Sequence, residues 1–457
     1  MEYLKMPIDA QGFICTELPT ITKSRSGREL YTFKGSLGYS YFNDTFCEDC
    51  GCKMHNHDRQ TITLLHLPFG LNLINMVVSK QRFKCPNCNR IQTQEVKFKA
   101  PNHNITMQLR NYAYDLLAYG FNNKQVSELT GLCKNTVKQI DKKRLSEMYT
   151  DTTFNGRTLK KPDRQSRFLG IDEFKLHDNH EYATHITDLE TGHILWIAKG
   201  KKKQVVYDFI EHVGHDWMLG VEAVACDMNS DFQEAFQDSC PHLKIVFDHF
   251  HIVKYFNDKV ISAVRKNEQA RLIEAGDEEA AKSLKGSKHI LTSKKSTLKK
   301  KDEKATAGVP VRKESELFNT PEVTLKYGYL DRYEDLLSKN KLFLTADIIK
   351  EKLSYAYKLN NVKDMIFEMS EIISICIATE NTHFIKFAKM LNSHFDGIVS
   401  HAIHGISTGK IEGINNKIKT LRRQGYGYPD DEYFFLKIID ASRQRYTRNP
   451  LSHRKSD

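Results

Sequence analysis

Two sets of side chains in this sequence have types and spacings that could do chemistry. The first is Cys47-Glu-Asp-Cys50 and Cys85-Pro-Asn-Cys88. Each pair presents two thiolates from one tight knuckle, and two knuckles complete the tetrahedral four-sulfur shell that Zn2+ adopts at about 2.3 Å. Such a closed shell has no open position, so the expectation is a structural Zn2+. Cys52, His55 and His57 stand close enough in sequence to leave other ligand sets open. The second set is acidic: Asp172 and Asp227, each ending a short apolar run, and Glu412, far along the chain. Carboxylates gathered without counter-charges repel, and such a cluster is stable mainly around hard divalent cations. Mg2+ takes carboxylate oxygens at about 2.0–2.1 Å and keeps water positions for substrate phosphates. Two ions about 3.5–4 Å apart suit an in-line phosphoryl displacement. Patterning alone leaves this grouping one choice among many, because the chain has 57 Asp+Glu and an Asp at a strand end is commonly a turn residue.

Periodicity gives the elements that must hold these groups. Between the knuckles, residues 61–65 and 80–83 alternate and predict hairpin strands. Residues 105–149 change to a helical period, with Leu109, Tyr112, Ala113, Leu116 and Leu117 recurring at three and four. Within that stretch, residues 124–130 predict a short helix, Gly131-Leu132 a turn, and residues 134–140 a second helix with Val137 and Ile140 inward. This is a helix-turn-helix pattern, which any small three-helix packing unit shares. Its exposed Lys134, Asn135, Thr136 and Lys138 are types that bond base edges and phosphates. Residues 151–167 are polar and turn-rich and read as a linker. Beyond them come three strands (167–172, 181–188 and 193–198), a helix (205–213), a strand (221–227), a helix (231–237) and a strand (243–247). The order βββαβαβ implies a mixed sheet covered by helices, with Asp172 and Asp227 at strand ends on one rim.

Residues 251–395 are charged and helical and read as an insertion. Within it, residues 282–304 hold nine lysines against Asp302 and Glu303, so this run is either a solvated loop or a strip for DNA phosphates. The last patterned segment begins at His404. Ile411, Ile414, Ile418 and Leu421 define one helix face, with Glu412, Asn416 and Lys419 on the adjoining polar face. Arg422 and Arg423 close that helix and join the candidate DNA contacts.

Composition narrows the class of partner. A chain of 457 residues and 52.9 kDa is about three domains long. Its net charge of +11 and pI near 8.9 favour polyanions, nucleic acid first. With 40% hydrophobic residues and a mean hydropathy of −0.53, neither wholesale disorder nor a membrane protein is expected. The most apolar stretch, 64–78, is broken by His66, Pro68, Gly70, Asn72 and Asn75. The N-terminus lacks the apolar core of a signal peptide, so a cytoplasmic, DNA-associated location is expected, with the ten cysteines reduced or ligating metal.

Three motifs carry a resemblance. Gly170-Ile-Asp172-Glu-Phe, Ala225-Cys-Asp227-Met-Asn and Ile406-Ser-Thr-Gly-Lys-Ile-Glu412-Gly-Ile-Asn-Asn-Lys-Ile-Lys-Thr-Leu-Arg-Arg, in the βββαβαβ context, resemble insertion-sequence transposases of the DDE type. The ISL-three family is the nearest subgroup. The resemblance covers nearly the whole chain and implies a multi-domain architecture. After an N-terminal segment (1–40) come a zinc-binding module (41–100) and an all-α helix-turn-helix domain (104–150). An α/β RNase H-like catalytic core with a mixed sheet follows, in two parts (163–250 and 396–445) interrupted by an α-helical insertion (251–395). It implies that Asp172, Asp227 and Glu412 are the catalytic triad holding Mg2+ or Mn2+. Asp248-His-Phe-His251 is similar to the D-x-x-H signature of many DDE enzymes, which implies a supporting role for Asp248 and His251. Cys133 departs from the pattern, standing where a small hydroxyl residue often precedes the second helix of a helix-turn-helix. The implied function is binding of an element's terminal inverted repeats, cleavage of its ends with water, and joining of the freed 3′-hydroxyl to target DNA, by a homo-oligomer at least dimeric on DNA. The alternatives are a domesticated DNA-binding transcription regulator that has lost catalysis, and a related nuclease that cuts without joining.

Overall fold

The computed structural model describes residues 12–38, 45–154, 156–228, 230–247, 249–306, 328–406, 409–425 and 428–443. The chain packs into two compact units, Met1–Lys160 with Thr420–Asp440, and Lys161–Lys419 with Ala441–Asp457.

The first unit begins with a six-stranded sheet of β1 (Phe13–Cys15), β2 (Thr20–Lys23), β3 (Glu29–Leu37), β4 (His55–Phe69), β5 (Asn72–Lys84) and β6 (Ile91–Thr93). The two predicted strands between the knuckles are the middle of the long antiparallel hairpin β4–β5, which turns at Gly70 with φ +58°. His55 faces Lys84 in that register, so the hairpin returns the chain to the level of the first knuckle just before the second begins. Three helices follow: α1 (Met107–Ala118), α2 (Asn123–Thr130) and α3 (Lys134–Tyr149). Each starts at a side-chain cap. Thr106 accepts from the Leu109 N–H, Asn122 and Gln125 form a reciprocal capping box, and the Cys133 thiol accepts from the Thr136 N–H. Gly131 ends α2 in the left-handed region (φ +77°), the turn that only glycine takes without strain.

Leu109, Ala113, Leu117, Val126, Val137 and Ile140 form the helical core, and Leu65 and Leu67 of β4 pack against it. The sheet also holds the helices through polar contacts. His66 Nδ1 lies 2.9 Å from the α1 cap hydroxyl of Thr106, both buried, and the Arg28 guanidinium donates to the Glu128 carbonyl at 2.6 Å. Helix α3 runs nine residues past the predicted end, and the predicted linker contains a hairpin of β7 (Thr150–Thr153) and β8 (Gly156–Leu159). Four residues per strand are too short a run for periodicity to reveal.

The second unit is built on a five-stranded mixed sheet: β9 (Phe168–His177), β10 (Glu181–Asp188), β11 (Ile194–Lys199), β12 (Ala223–Cys226) and β13 (Lys244–Phe247), in the order β11-β10-β9-β12-β13. The first three pair antiparallel, while β12 lies parallel to both β9 and β13. Helices α4 (Gln204–Val213), α5 (His215–Met218) and α6 (Ser230–Ser239) cover it, α4 through the buried stripe Val205, Val206, Phe209, Ile210 and Val213. Every element described in the stretch read as an insertion is a helix. With its flanks it comprises α7 (His249–Tyr255), a π-helical stretch (Phe256–Ile261), α8 (Ser262–Glu274), α9 (Glu278–Leu284), α10 (Lys288–Leu291), α11 (Lys295–Thr306), α12 (Tyr329–Lys339), α13 (Lys341–Ala356), α14 (Val362–Ala378) and α15 (Thr382–Ser393), then α16 (Phe395–Val399) and α17 (His401–His404), which lie almost wholly beyond its expected end. The lysine run is therefore not a loop. Leu298 is fully buried and anchors α11, and the Asp302 carboxylate caps α12 by accepting from the Tyr329 and Leu330 N–H groups at 3.0 and 2.8 Å.

Helix α18 (Gly409–Gln424) returns to the sheet, burying Ile411, Ile414 and Ile418. A Cβ on Gly170 would stand 2.5 Å from the Ile411 Cδ1, so the absence of a side chain there lets α18 seat on β9 two residues before Asp172. Lys410 fixes the start of the helix by donating to the carbonyls of Leu189 and Glu190 at 2.7 and 2.6 Å. The end of α18 and most of α19 (Asp431–Arg443) belong with the first unit. There Asp141 of α3, fully buried, accepts from Arg144 (2.8 Å), Tyr433 (2.7 Å) and Lys437 (3.0 Å). Asp440 accepts from Tyr149 at 2.7 Å and faces Arg144 at 3.5 Å. The C-terminal helix is thus a fourth helix of the three-helix unit, joined to it by a buried ionic network.

Candidate active site, zinc centre and nucleic-acid interface

The four knuckle cysteines converge. All four sulfurs lie within 4.8 Å of one another, with Cys47–Cys88 and Cys50–Cys85 at 3.4 Å and Cys50–Cys88 at 3.8 Å. A tetrahedron with arms of about 2.3 Å has edges of about 3.8 Å, so this donor set fits Zn2+. The two knuckles are built alike. Gly51 and Asn89, each in the left-handed region, donate back to the Cys47 and Cys85 carbonyls. The N–H groups of Cys47 and Cys85 in turn donate to the carbonyls of Cys52 and Arg90 at 2.8 Å. Arg90 beside the second knuckle pairs with Glu48 (2.6 Å) and Asp49 of the first. Cys52, His55 and His57 stay outside the sulfur cluster, and all ten cysteines are free of disulfides.

The acidic residues sit on the second unit's sheet. Ala225 of β12 faces Gly170 of β9, and continuing that parallel register by two residues brings Asp227 level with Asp172. Asp172 Oδ1 accepts from the Glu173 N–H at 2.8 Å and its Oδ2 from Asn415 Nδ2 at 2.6 Å. Asp227 is more open; its Oδ1 accepts from the Met228 N–H at 2.6 Å, and His251 Nε2 lies 3.7 Å from its Oδ2.

The electrostatics mark one shared neighbourhood. Burial raises the Asp172 carboxyl above its ordinary range, against the pull of its hydrogen bonds and of His185 and His251. Burial also raises Glu173, reinforced by Asp172 and Asp227 and opposed by Lys201. Glu412 is exposed on α18, one residue beyond Ile411 and three before Asn415. Among the described residues the ligand atoms of Asp172, Asp227 and Glu412 do not all come within 4.8 Å of one another. Asp248 lies outside the described residues; His251 is placed, beside Asp227.

Three residues near the carboxylates were not singled out by the sequence reading. Asn415 bonds Asp172, whereas that reading put Asn416 on the polar face beside Glu412; Asn416 is exposed. His185 faces Asp172 across the β9–β10 register, and burial holds its imidazole below the ordinary value. Glu173 has a buried Oε2 that finds no hydrogen-bond partner among the described residues. The available signal was register: once β9 and β10 are paired, an otherwise unremarked histidine becomes the neighbour of Asp172.

On α3, Lys134 and Asn135 are exposed and Thr136 is half-buried at the helix start. Lys138 instead pairs with Asp430 at 3.0 Å and lies over the Tyr433 ring, so within this unit it serves the C-terminal helix. Arg423 is exposed and Arg422 half-buried at the end of α18. No helix among the described residues is long and apolar enough to cross a membrane.

Residues 169–438 match the family model of ISL3 DDE transposases, described as transposase, and residues 44–88 match one described as zinc-finger of transposase IS204/IS1001/IS1096/IS1165. The chain is 27% identical over 403 residues to the transposase for insertion sequence element IS1001 of Bordetella parapertussis, covering 86% of this chain and 88% of that protein. It is 23% identical over 341 residues to the transposase for insertion sequence element IS1557 of Mycobacterium tuberculosis, covering 69% and 68%.

Proposed function

Because the chain belongs to the ISL3 family of DDE transposases of insertion sequences, we propose that it binds the terminal inverted repeats of its element, cleaves the ends with water, and joins the freed 3′-hydroxyls to target DNA. The observation that carries this is the level placement of Asp172 and Asp227 on neighbouring parallel strands, with the helix bearing Glu412 seated on β9 at Gly170. In this reading the second unit is an RNase H-like core with a helical insertion, and α2–α3 are a helix-turn-helix.

Asp172, Asp227 and Glu412 would hold Mg2+ or Mn2+, which would supply charge neutralisation on the reacting phosphate and a more acidic water. In cleavage the water oxygen bonds to phosphorus as the P–O3′ bond breaks, leaving a 3′-hydroxyl on the element end. In joining, that 3′-oxygen attacks a target phosphorus and displaces the target's own 3′-oxygen. His251, with Nε2 3.7 Å from Asp227 Oδ2, would steady that carboxylate. Lys134, Asn135 and Thr136 face base edges, Arg422 and Arg423 face phosphates, and the zinc module backs the helices without entering the chemistry. The active form on DNA is at least a dimer, acting in the cytoplasm. A domesticated regulator would have no use for a partly buried carboxylate held at both oxygens, as Asp172 is.

The test is Glu412→Gln, which keeps size but removes the charge a hard cation needs. It should fold and bind element ends like the parent, and lose cleavage and joining by several orders of magnitude. Near-parental cleavage of a labelled end duplex in Mg2+ refutes the triad; if the variant unfolds, Asp172→Asn is the deciding substitution.

A further inference from the structure

Behind Asp172 stands a line of side chains that the reaction itself does not use. Asn415 Nδ2 donates to Asp172 Oδ2 at 2.6 Å, His185 Nε2 lies 3.1 Å from Asn415 Oδ1, and Thr187 Oγ1 lies 3.0 Å from His185 Nδ1. His185 and Thr187 are wholly buried, two residues apart on the same face of β10. The hydrogen positions follow by elimination. A carboxylate only accepts, so the Asn415 amide must turn its NH2 to Asp172 and its oxygen to His185. That oxygen also only accepts, so Nε2 carries the ring proton and Nδ1 accepts from the Thr187 hydroxyl. Each link therefore has one allowed sense, and the line ends on a single carboxylate oxygen. With the Glu173 N–H on Oδ1, two of the roughly four lone-pair positions of Asp172 are occupied and the others are left in a fixed direction.

We infer that Thr187, His185 and Asn415 are positioning residues that set the orientation of Asp172 as a divalent-metal ligand. The inference rests on the proposed reading of Asp172 as such a ligand. Partners that orient a metal ligand typically change metal affinity or activity by about 10–100-fold when removed. Asn415 also gives its helix a second purpose: three residues after Glu412, it ties the helix carrying the third acid to the first.

The experiment is Mn2+ binding by the full-length zinc-loaded chain, read from the electron paramagnetic resonance signal of free aquo-Mn2+, with thermal melting as the folding control. Asn415→Ala should raise the Mn2+ dissociation constant at least about tenfold at an unchanged melting temperature. Thr187→Val keeps the shape but removes the hydroxyl that donates to His185 Nδ1, so the imidazole behind Asn415 is held less firmly; it should raise the constant in the same direction by less. Thr187→Val decides the matter if Asn415→Ala is unfolded. Parental Mn2+ affinity in the folded variants, while Asp172→Asn loses Mn2+, overturns the relay and leaves the triad standing. Parental affinity in Asp172→Asn overturns the triad itself and the relay with it.

Discussion

Replacing Asp141 with Asn should cost the first unit far more than an ordinary polar substitution. The carboxylate is wholly buried and faces Arg144 at 2.8 Å and Lys437 at 3.0 Å, so removing its charge takes the buried counter-ion from Lys437 and leaves Arg144 to Asp440 at 3.5 Å. Removing one partner of a buried ion pair typically costs about 3–5 kcal/mol. The amide oxygen still accepts a hydrogen bond, which places the change near the lower end, about 3 kcal/mol. For a unit of this size that corresponds to roughly 6–12 °C in the melting midpoint. Burial opposes ionisation of Asp141, but Lys437 and Arg144 outweigh it and hold its carboxyl below the ordinary range. A lowered folded-state pKa gives stability that is present above the unfolded value, about 3.9, and lost as pH falls through the folded one. The gap between parent and variant should therefore be constant from pH 8 to 5 and narrow only below about pH 4. Differential scanning calorimetry of the full zinc-loaded chain measures this. The double variant Asp141→Asn with Lys437→Met should be destabilised by less than the sum of the two single variants, because the residues touch. A shift under about 2 °C for Asp141→Asn, or strict additivity in the double variant, refutes the argument.

Two further outcomes follow from the geometry. The chain should carry one zinc, and Cys85→Ala should lose it together with tight end binding, since β4 and β5 link the knuckles to the helices; elemental analysis and a gel-shift titration decide both. Neutralising the exposed Lys294, Lys299, Lys300 and Lys304 should flatten the log–log salt dependence of DNA binding by at most about 0.9 for each phosphate no longer neutralised, whereas Lys295, which is paired with Glu334 at 2.8 Å, should contribute little; an unchanged slope makes α11 a solvated face.

How much of this was legible in the sequence depended on whether the information was local. Cys-x-x-Cys knuckles and the turn at Gly131 act over a few positions, so their types and spacing announce them. The alternation of strands and helices in the second unit was equally open to reading, because its elements bury apolar patterns of regular period, such as the stripe Val205, Val206, Phe209, Ile210 and Val213. The lysine run misled about form because its helix buries a single side chain, Leu298, and is held instead by the cap that Asp302 gives to α12. One buried side chain in a whole helix leaves no period.

The least legible features are those in which a residue's role is assigned by a partner hundreds of positions away. Lys138 had the type and the place of a DNA contact, yet its ion pair with Asp430 turns it into a support for the C-terminal helix, and nothing in the local sequence of either predicts the other. Asn415 and Asn416 are chemically identical neighbours on one helix, and only the phase set by Ile411 against Gly170 decides which reaches Asp172. A helix turns about 100° per residue, so a shift of one position in where α18 seats would exchange the two. The packing at Gly170 is therefore part of the site in a physical sense. Filling it would move the helix, and with it both the amide that holds Asp172 and the carboxylate of Glu412.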